Sequence, residues 1–451
     1  MLQVGGIEEL RRTLRGTVTL PGDTGYDEAR RTFNALSDRS PKMVVRPLDT
    51  EEVRVALAFA RAHDLPVSVR GGGHSVAGHA IGQGALALDL RTLTDVRVDP
   101  QRRRVRAGGG ATWRDVDPAC QLHGLALPGG TFDTTGVGGL TLGGGLGYLL
   151  GAYGLTLDNL VAAEVVTPSG DVLEVSEDDH QDLFWALRGG GGNFGVVTAF
   201  EYGLHRVATI YGGIQRYALT DAGQVLRRFR DLMAAAPDEM TCMVDLDASG
   251  VKVYVCSTQD GRDARSLLSR YFGEVRPVQD GAETMPYLTL QRATGELPFG
   301  LRHYWKGHFV RDLSDDVIDL AVEHVRRPDA ARSSILFEPL HGAASRVPDD
   351  ATAFGQRKAR YNVSALGIWD EVADDARVIA WARAYASALE PLSATGGGYL
   401  NYGADEPLAR VEAAFGTKNF ARLRRIKTRY DPGNVLRFNH NIPPSDRPAG
   451  P

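Results

Sequence analysis

The chain has 451 residues, of which 43% are hydrophobic and 24% charged, a balance typical of a globular protein. Its 51 basic and 56 acidic residues leave a net charge of −5, which gives no electrostatic reason to expect nucleic acid or an anionic membrane as a partner. A chain of this length exceeds the size at which single cores stop growing, so we expect two domains.

The N-terminus lacks the basic and apolar regions of a signal peptide, and no apolar run approaches the roughly 18 residues of a spanning helix. We therefore expect a cytoplasmic protein. The three cysteines, Cys120, Cys242 and Cys256, are too few and too scattered for a disulfide framework or a metal cluster. They are predicted to be small buried side chains, and no metal site is expected.

The first part of the chain alternates short strands with helices. A strand over 43–46, a helix that Asp49 caps and a strand from Val67 predict a βαβ unit. Arg102, Arg103, Arg104 and Arg106 follow a turn signal and are interpreted as a solvated hairpin tip. Further elements are expected as strands over 85–90, 96–98, 104–106 and 196–202, a helix over 112–123, and a hairpin over 162–167 and 172–175.

Three glycine tracts lie in this first part, over 70–75, 136–148 and 188–195. Glycine lets the backbone take positive φ and touch a flat or phosphorylated ligand. The first tract ends a strand and carries His74, which is thus aimed at a ligand. The third tract satisfies G-x-G-x-x-G, but it follows a helix and precedes a strand, so we interpret that match as chance. Together the tracts predict a long ligand in a groove of amides.

From about residue 206 the glycine tracts disappear. Strands are predicted near 212–219, 241–247, 251–257, 304–310, 334–340 and 361–368, and helices near 221–235, 262–272, 315–326 and 371–389. This pattern predicts an antiparallel sheet with helices on one face. The sheet contributes mostly apolar and hydroxyl residues, with no acidic or basic cluster that demands a charged ligand.

Four ordered motifs resemble the berberine bridge enzyme-like branch of the vanillyl-alcohol oxidase superfamily, FAD-linked oxidases with covalently held flavin. They are Arg-Gly-Gly-Gly-His-Ser at 70–75, Gly-Val-Gly-Gly-Leu-Thr-Leu-Gly-Gly-Gly at 136–145, Tyr-Leu-Asn-Tyr at 399–402 and Tyr-Asp-Pro-Gly-Asn at 430–434. The resemblance covers nearly the whole chain. It implies an α+β fold with an FAD-binding domain over 1–205, a substrate domain over 206–395 and a C-terminal segment over 396–451 that returns to the FAD-binding domain.

The resemblance also implies the cofactor and its contacts. His74 matches the histidine that is bonded to the flavin 8α-methyl carbon. The other expected FAD contacts are Arg70, Gly71, Gly72, Gly73, Ser75, Gly78, His79, Gly130, Thr134, Gly136, Gly138, Gly139, Thr141, Gly144, Gly147, Asn193, Gly195, Val197, Asn439 and Asn441. Isolated histidines such as His303, His308 and His341 are more often structural than functional.

Two kinds of residue are candidates for the catalytic base. Tyr399 and Tyr402 resemble the tyrosines of the family's Tyr-x-Asn-Tyr motif, although a phenol near pKa 10 needs a neighbour that stabilises the phenolate. Tyr399 is favoured slightly, since 399 and 401 would share one strand face and let Asn401 orient a substrate oxygen beside it. Glu338 is the alternative, because an acid within an apolar strand is costly unless paired or functional. A strand can also turn Glu338 to solvent.

Two positions depart from the family pattern. Phe132 stands where doubly tethered members have a cysteine, so only a single attachment through His74 is expected. Leu146 replaces an aromatic residue that many members have, which disfavours a sugar oxidase relative to an oxidase of a bulkier or more apolar metabolite.

The expected function is an FAD-dependent oxidase of a small organic metabolite in bacterial natural-product tailoring, with O2 as the acceptor and H2O2 as a product. The alternatives are a flavin dehydrogenase that uses another acceptor, a carbohydrate oxidase and a non-catalytic flavin-binding protein. The expected partners are a small-molecule substrate and O2, without nucleic acid or membrane, and the expected state is a monomer or homodimer.

Overall fold

The computed structural model describes residues 4–295, 299–327 and 332–445, whose helices and strands are numbered along the chain. The first sheet consists of β1 (Thr17–Thr19), β2 (Met43–Arg46), β3 (Val67–Arg70) and β4 (Leu86–Asp89). Its order is β1-β2-β4-β3, and β4 runs parallel to both β2 and β3. Helix α3 (Thr50–Ala62) joins β2 to β3, and the Asp49 side chain caps it by accepting from Glu52 N. The predicted βαβ unit is confirmed, with β4 between its two strands.

The second sheet is antiparallel and holds the predicted hairpins. Its strands are β5 (Val96–Asp99), β6 (Arg104–Gly108), β8 (Leu160–Val166), β9 (Val172–Ser176) and β10 (Val196–Gly203), in the order β5-β6-β10-β8-β9. A short ladder of β7 (Leu125–Ala126) and β11 (His205–Arg206) lies beside it. Arg102 and Arg103 lie in the exposed turn between β5 and β6, as predicted, whereas Arg104 and Arg106 are half-buried residues of β6 itself.

The third sheet occupies the second part of the chain, and all of its ladders are antiparallel. Its strands are β12 (Thr209–Tyr217), β13 (Met240–Asp247), β14 (Gly250–Ser257), β15 (Gln279–Asp280), β16 (Glu283–Pro286), β17 (Arg302–Val310), β18 (Ser334–Pro339) and β19 (Tyr361–Trp369). The order is β15-β12-β14-β13-β18-β19-β17, with β16 also paired to β12.

Four helices cover one face of this third sheet. They are α8 (Ala222–Ala235), α9 (Gly261–Phe272), α11 (Asp315–Val325) and α13 (Asp375–Leu389). Successive strand residues point to opposite faces, so Val244 and Leu246 of β13 enter the core beneath these helices. Asp245 and Asp247 therefore belong to the opposite face. The predicted α+β class, with helices on one side of an antiparallel sheet, is confirmed.

Shorter helices complete the described chain. They are α1 (Val4–Thr13), α2 (Tyr26–Arg30), α4 (Trp113–Gln121), α5 (Val137–Gly143), α6 (Leu150–Tyr153), α7 (Gln181–Leu187), α10 (Tyr287–Ala293) and α12 (Ala343–Arg346). The sequence pattern predicts no element before residue 43, whereas the structure has α1, β1 and α2 there. Leu10 and Leu14, one helical turn apart and both buried, are the signal that could have found α1.

The C-terminal helices pack against the first part of the chain. They are α14 (Leu408–Phe415) and α15 (Thr417–Tyr430). Phe420 and Leu423 join the core beneath the second sheet, and the buried Lys427 donates to Asn193 O at 2.7 Å and pairs with Asp431 at 2.7 Å. The chain thus crosses to the third sheet and comes back, while the domain boundaries themselves remain predictions.

Membrane-spanning helices and metal clusters were sought in residues 4–295, 299–327 and 332–445. None of their helices combines the length and apolar character needed to cross a bilayer. No cluster of three or more His, Cys, Asp or Glu side chains in those ranges could hold a metal ion. Cys120, Cys242 and Cys256 are free and buried, which confirms their predicted state.

Candidate active site

A cavity of about 530 Å³ lies between the glycine tracts and the uncovered face of the third sheet. This volume falls within the range of about 300–1,000 Å³ that is usual for small-molecule sites. One side, here called the glycine wall, is formed by residues of the three glycine tracts and the C-terminal tail. The other side, the sheet wall, is formed by side chains of β13, β14, β17, β18 and β19. The cavity therefore joins the two parts of the chain.

The glycine wall is shaped by backbone that packs too closely for side chains. A Cβ built on Gly72 would lie 2.4 Å from Gly136 N, so the first two tracts touch backbone to backbone. Gly139 and Gly192 line the cavity, and a Cβ on either would meet no protein atom within 4 Å. Such positions leave room for a ligand that lies against the main chain.

His74 follows β3 and lines this wall. Gly73 before it has φ +78°, which favours glycine, and this turn carries the histidine out of the strand direction. The imidazole stacks on Phe33 with ring centroids 4.6 Å apart. Its Nε2 is buried without a hydrogen-bond partner in the described part of the chain. Burial lowers the pKa of His74 to about 4, so the ring is neutral at pH 7.

Most of the residues expected to contact FAD lie on the cavity surface. They are His74, Gly71, Gly72, Gly73, Ser75, His79, Gly130, Gly136, Gly138, Gly139, Asn193, Gly195, Val197 and Asn439. Phe132 and Leu146, the two departures from the family pattern, line it as well.

The remaining residues of that set do not line the cavity. They are Arg70, Gly78, Thr134, Thr141, Gly144, Gly147 and Asn441. Arg70 is buried behind the wall, where its Nη1 donates to Ala29 O at 3.1 Å. The Thr141 hydroxyl is hydrogen-bonded to Tyr202 Oη at 2.8 Å. A Cβ on Gly147 would lie 1.8 Å from Gly129 O, so that glycine permits a close approach of two backbone segments. Arg70, Thr141 and Gly147 therefore support the wall from behind.

Glu338 lies at the end of β18 on the sheet wall and has no exposed surface. The alternative that β18 turns it to solvent is therefore wrong. Its Oε1 accepts from Tyr402 Oη at 2.9 Å and its Oε2 from Asn362 Nδ2 at 2.7 Å. Burial raises the pKa of Glu338 to about 7, although both hydrogen bonds oppose the shift. A carboxyl group with this pKa can exchange a proton near neutral pH.

Tyr399 and Tyr402 both face the cavity, but they are not on a strand. Leu400–Tyr402 forms a 3-10 turn, closed by Tyr402 N donating to Tyr399 O at 2.9 Å. The expectation that 399 and 401 share a strand face is wrong, because the turn stacks residues i and i+3 instead. The two phenol rings consequently lie 4.9 Å apart, centroid to centroid.

The two tyrosines have different hydrogen-bond roles. Tyr399 Oη accepts from Gly145 N and from Asn401 Nδ2, both at 2.9 Å. Burial raises the pKa of Tyr399 to about 12, against the effect of these donors. Burial and then the charge of Glu338 raise the pKa of Tyr402 well above its usual 10. Neither phenol is ionised at neutral pH, so the carboxyl group of Glu338 is the better proton acceptor.

The sheet wall carries a charged row that the sequence analysis does not predict. Asp245 and Asp247 on β13 and Lys252 on β14 all line the cavity. The expectation that this sheet carries no acidic or basic cluster is wrong. The alternation of Met243, Asp245 and Asp247 along β13 is the signal that could have found it, because alternate residues share a face.

Two family models match the chain. The model described as "FAD binding domain" matches residues 41–176, and the one described as "Berberine and berberine like" matches residues 398–443. The chain therefore carries an FAD-binding domain and a berberine-like segment, and its named relatives are FAD-linked oxidoreductases.

Named relatives match the chain over nearly its full length. It is 29% identical to the (R)-6-hydroxynicotine oxidase of Paenarthrobacter nicotinovorans over 96% of this chain and 97% of that protein. It is 28% identical to an FAD-linked oxidoreductase of Dictyostelium discoideum over 97% of each. The solved 6-hydroxy-D-nicotine oxidase of Arthrobacter nicotinovorans superposes with a TM-score of 0.87 at 27% identity, covering 95% of this chain and 98% of that chain. Xylooligosaccharide oxidase of Myceliophthora thermophila C1 shares the fold, with a TM-score of 0.87 at 22% identity over 98% of this chain and all of that chain.

Two observations show that the cavity fits FAD. Gly139 and Gly192 present bare backbone to open space, which a flat or phosphorylated group can occupy. His74 Nε2 is a buried polar atom without a partner on the same wall. The residues of the glycine wall are therefore those that would hold FAD. The sheet wall would face the substrate, which gives hydride to FAD.

Proposed function

We propose that this protein is an oxidase of a small organic metabolite, with FAD held by a single covalent bond to His74 and with O2 as the electron acceptor, giving H2O2. The observation that carries the proposal is that Glu338 and Tyr402, hydrogen-bonded to each other, line the same cavity as His74. Bound FAD would supply the acceptor for hydride from the substrate. The protein's own groups must then place the substrate and take its proton.

The side chains around the cavity support a single attachment. A neutral His74 imidazole keeps a lone pair for bond formation, since burial holds its pKa near 4. Phe132 lines the cavity where doubly tethered relatives have cysteine, and a benzyl group forms no thioether. None of the three cysteines lines the cavity. Burial raises the pKa of Cys242 to about 12 and that of Cys120 further, so neither is a thiolate at neutral pH.

Glu338 and Tyr402 form the proposed proton acceptor. With its pKa near 7, Glu338 is ionised in a large fraction of molecules at pH 7–8. Tyr402 donates to Glu338 Oε1, so it can pass its own proton to the carboxylate while it takes one from the substrate. Asn362 Nδ2 holds the other carboxylate oxygen in place. The same arrangement also allows the substrate to pass its proton directly to Glu338.

The apolar part of the sheet wall favours a metabolite over an oligosaccharide. Met243, Leu336 and Leu366 line it, and Leu146 faces the same cavity. Such side chains bury apolar surface of a ligand, which an oligosaccharide offers less of than an apolar metabolite does. We propose natural-product tailoring as the context of this reaction. Residues 1–205 and 396–451 are the proposed FAD-binding part and 206–395 the proposed substrate part.

Purified protein tests the proposal without knowledge of the natural substrate. We expect a yellow protein whose absorbance bleaches when a panel of alcohols and amines is added without oxygen and returns with air, forming about one H2O2 per flavin. Colourless protein that takes up no FAD would contradict it. If air does not restore the absorbance and an artificial electron acceptor does, the protein is a dehydrogenase and not an oxidase.

A further inference from the structure

The imidazole of His74 is held by aromatic rings and not by hydrogen bonds. Neither of its nitrogens is hydrogen-bonded to a residue in the described ranges, and Nε2 is buried. Phe33 stacks on the ring with centroids 4.6 Å apart and planes 13° from parallel, and Phe299 meets it edge to face at 5.8 Å. The orientation of a functional imidazole is usually set by a hydrogen bond to its second nitrogen. The orientation of His74 depends on its stacking partner instead.

Phe33 is itself fixed on its opposite face. Its side chain has no exposed surface. The His303 ring stacks on Phe33 with centroids 4.2 Å apart and planes 26° from parallel. His74 and His303 make no ring contact with each other, so they occupy opposite faces of Phe33. The three rings form a stack that joins β17 of the third sheet to the histidine of the glycine wall.

Hydrogen bonds of the same segment join the same two parts of the molecule. Phe33 N donates to Gly73 O at 3.2 Å, in the turn that precedes the histidine. The Asn34 side chain is 1% exposed and donates to Val76 O at 2.7 Å and to His303 O at 2.8 Å. It also accepts from His303 N at 2.8 Å. A buried amide with all its groups paired is a rigid link. Residues 33–34 therefore hold β17 and the glycine tract at a fixed separation.

Attachment of FAD to His74 depends strongly on the orientation of the imidazole. The reaction forms one bond, between a ring nitrogen and the 8α carbon of FAD, and breaks one C–H and one N–H bond. The two protons and two electrons that are released pass to O2, which leaves as H2O2, so the bound flavin ends in its oxidised state. Bond formation is fast only when the reacting atoms are about 3–3.5 Å apart and aligned. An imidazole that turns freely about its side-chain bonds spends little time in that alignment.

We infer that Phe33 is a positioning residue for the attachment of FAD: its ring, supported by His303, holds the His74 imidazole in the orientation from which it bonds to the flavin. The inference rests on the proposed function and adds a residue to it. It also gives a role to the segment before residue 43, for which the sequence pattern predicts no element. The glycine wall binds FAD in the proposed function, so loss of the Phe33 ring slows bond formation without weakening FAD binding.

The rate of bond formation in the full-length protein tests this inference. Cells that produce the chain receive a short pulse of radiolabelled riboflavin. At successive times the protein is captured, and its label is divided into flavin that stays with the acid-precipitated protein and flavin that acid releases. We expect Phe33→Leu to convert bound flavin to the acid-stable form about two- to tenfold more slowly than the wild type, as loss of an aromatic pair implies, with total bound label within about twofold.

Two further variants separate positioning from packing. Phe33→Tyr keeps the ring and should recover most of the wild-type rate. Phe229→Leu is the matched control, because Phe229 is equally buried and meets the Tyr361 ring edge to face, but it lies in the core beneath the helices of the third sheet. It should convert bound flavin at the wild-type rate.

The inference is overturned by a wild-type rate in Phe33→Leu, by an equally slow rate in Phe229→Leu, or by a loss of total bound label with no slower conversion. If Phe33→Leu does not fold, His303→Leu decides. It removes the supporting ring together with two buried nitrogens that have no partner in the described ranges, so it is expected to fold and to convert flavin about twofold or more slowly. A wild-type rate in that variant would also overturn the inference. Wild-type protein whose label is all released by acid would instead refute the covalent bond of the proposed function, so the two failures are distinguishable.

Discussion

The two walls of the cavity are built in different ways. The glycine wall presents main chain, and its tracts approach so closely that a Cβ on Gly72 would overlap Gly136. The sheet wall presents side chains, among them Glu338, Asp245 and Lys252, which come from three different strands. A wall made of main chain suits a ligand common to many proteins, whereas a wall made of side chains can change with each substrate. This comparison predicts that changes to the glycine wall affect flavin content and that changes to the sheet wall affect turnover.

The largest effect is expected at Glu338. Glu338→Gln keeps the shape of the side chain but removes the proton acceptor, so flavin reduction should slow by about 10²–10⁴-fold with the flavin content unchanged. In the wild type the reduction rate should rise with pH through about 7, as the carboxyl group ionises, and then level off. Anaerobic stopped-flow measurements over pH 5–9 give both results. Glu174→Gln, at an exposed position of β9, is the control. An unchanged rate in Glu338→Gln would show that another group accepts the substrate proton.

A smaller effect separates the two tyrosines. Tyr402 donates to Glu338, so Tyr402→Phe should slow flavin reduction by about 10²-fold, the low end for a positioned proton-transfer group. Tyr399 accepts two hydrogen bonds and has no such contact with the carboxylate, so Tyr399→Phe should cost about tenfold or less. Single-turnover rates of both variants make the comparison. A larger loss of rate in Tyr399→Phe than in Tyr402→Phe would favour Tyr399 as the base, as the sequence predicts.

The glycine wall can be tested at a position that has space. Gly139→Leu places a side chain in the cavity, because no protein atom lies within 4 Å of its Cβ, and it should reduce bound flavin about tenfold or more. Gly5→Leu is the matched control, since Gly5 has equal space but lies on α1, away from the cavity. The ratio of flavin absorbance to protein absorbance measures both. Normal flavin content in Gly139→Leu would show that the ligand does not lie against this segment.

The smallest effect concerns the junction of the two walls. Asp117 of α4 accepts from Gln291 of α10 at 2.8 Å, and burial raises the pKa of Asp117 to about 7. Because this pKa lies above that of the unfolded chain, the carboxyl group favours folding below about pH 4, and that contribution is lost as pH rises through 7. Asp117→Asn should therefore gain about 2–4 °C in melting temperature relative to the wild type between pH 5 and pH 8. A difference that does not change with pH would contradict the assigned pKa.

The sequence predicted the glycine wall far better than the sheet wall. The glycine tracts are local, so Gly71–Gly73 and His74 can be recognised without knowing what lies opposite. The alternating pattern of β13, β14 and β18 also sufficed to predict the third sheet. Pairing of those strands places Asp245 next to Lys252 and near Glu338. The register between strands that are distant in the sequence cannot be predicted from the residues of any one segment. The same reason explains why a strand is expected at 399–402, since Leu140 O and Gly145 N, which bind Asn401 and Tyr399 in the turn, come from a distant part of the chain.

The most direct test of the central claim is the location of flavin in the wild-type protein. After acid precipitation and proteolysis, mass spectrometry should find the yellow chromophore retained on one peptide only, the one that contains His74. The same treatment of His74→Ala should release any bound flavin into the supernatant. Flavin lost from the wild-type pellet, or attached to a peptide that contains Cys120, Cys242 or Cys256, would contradict the claim that this cavity holds FAD through His74 alone.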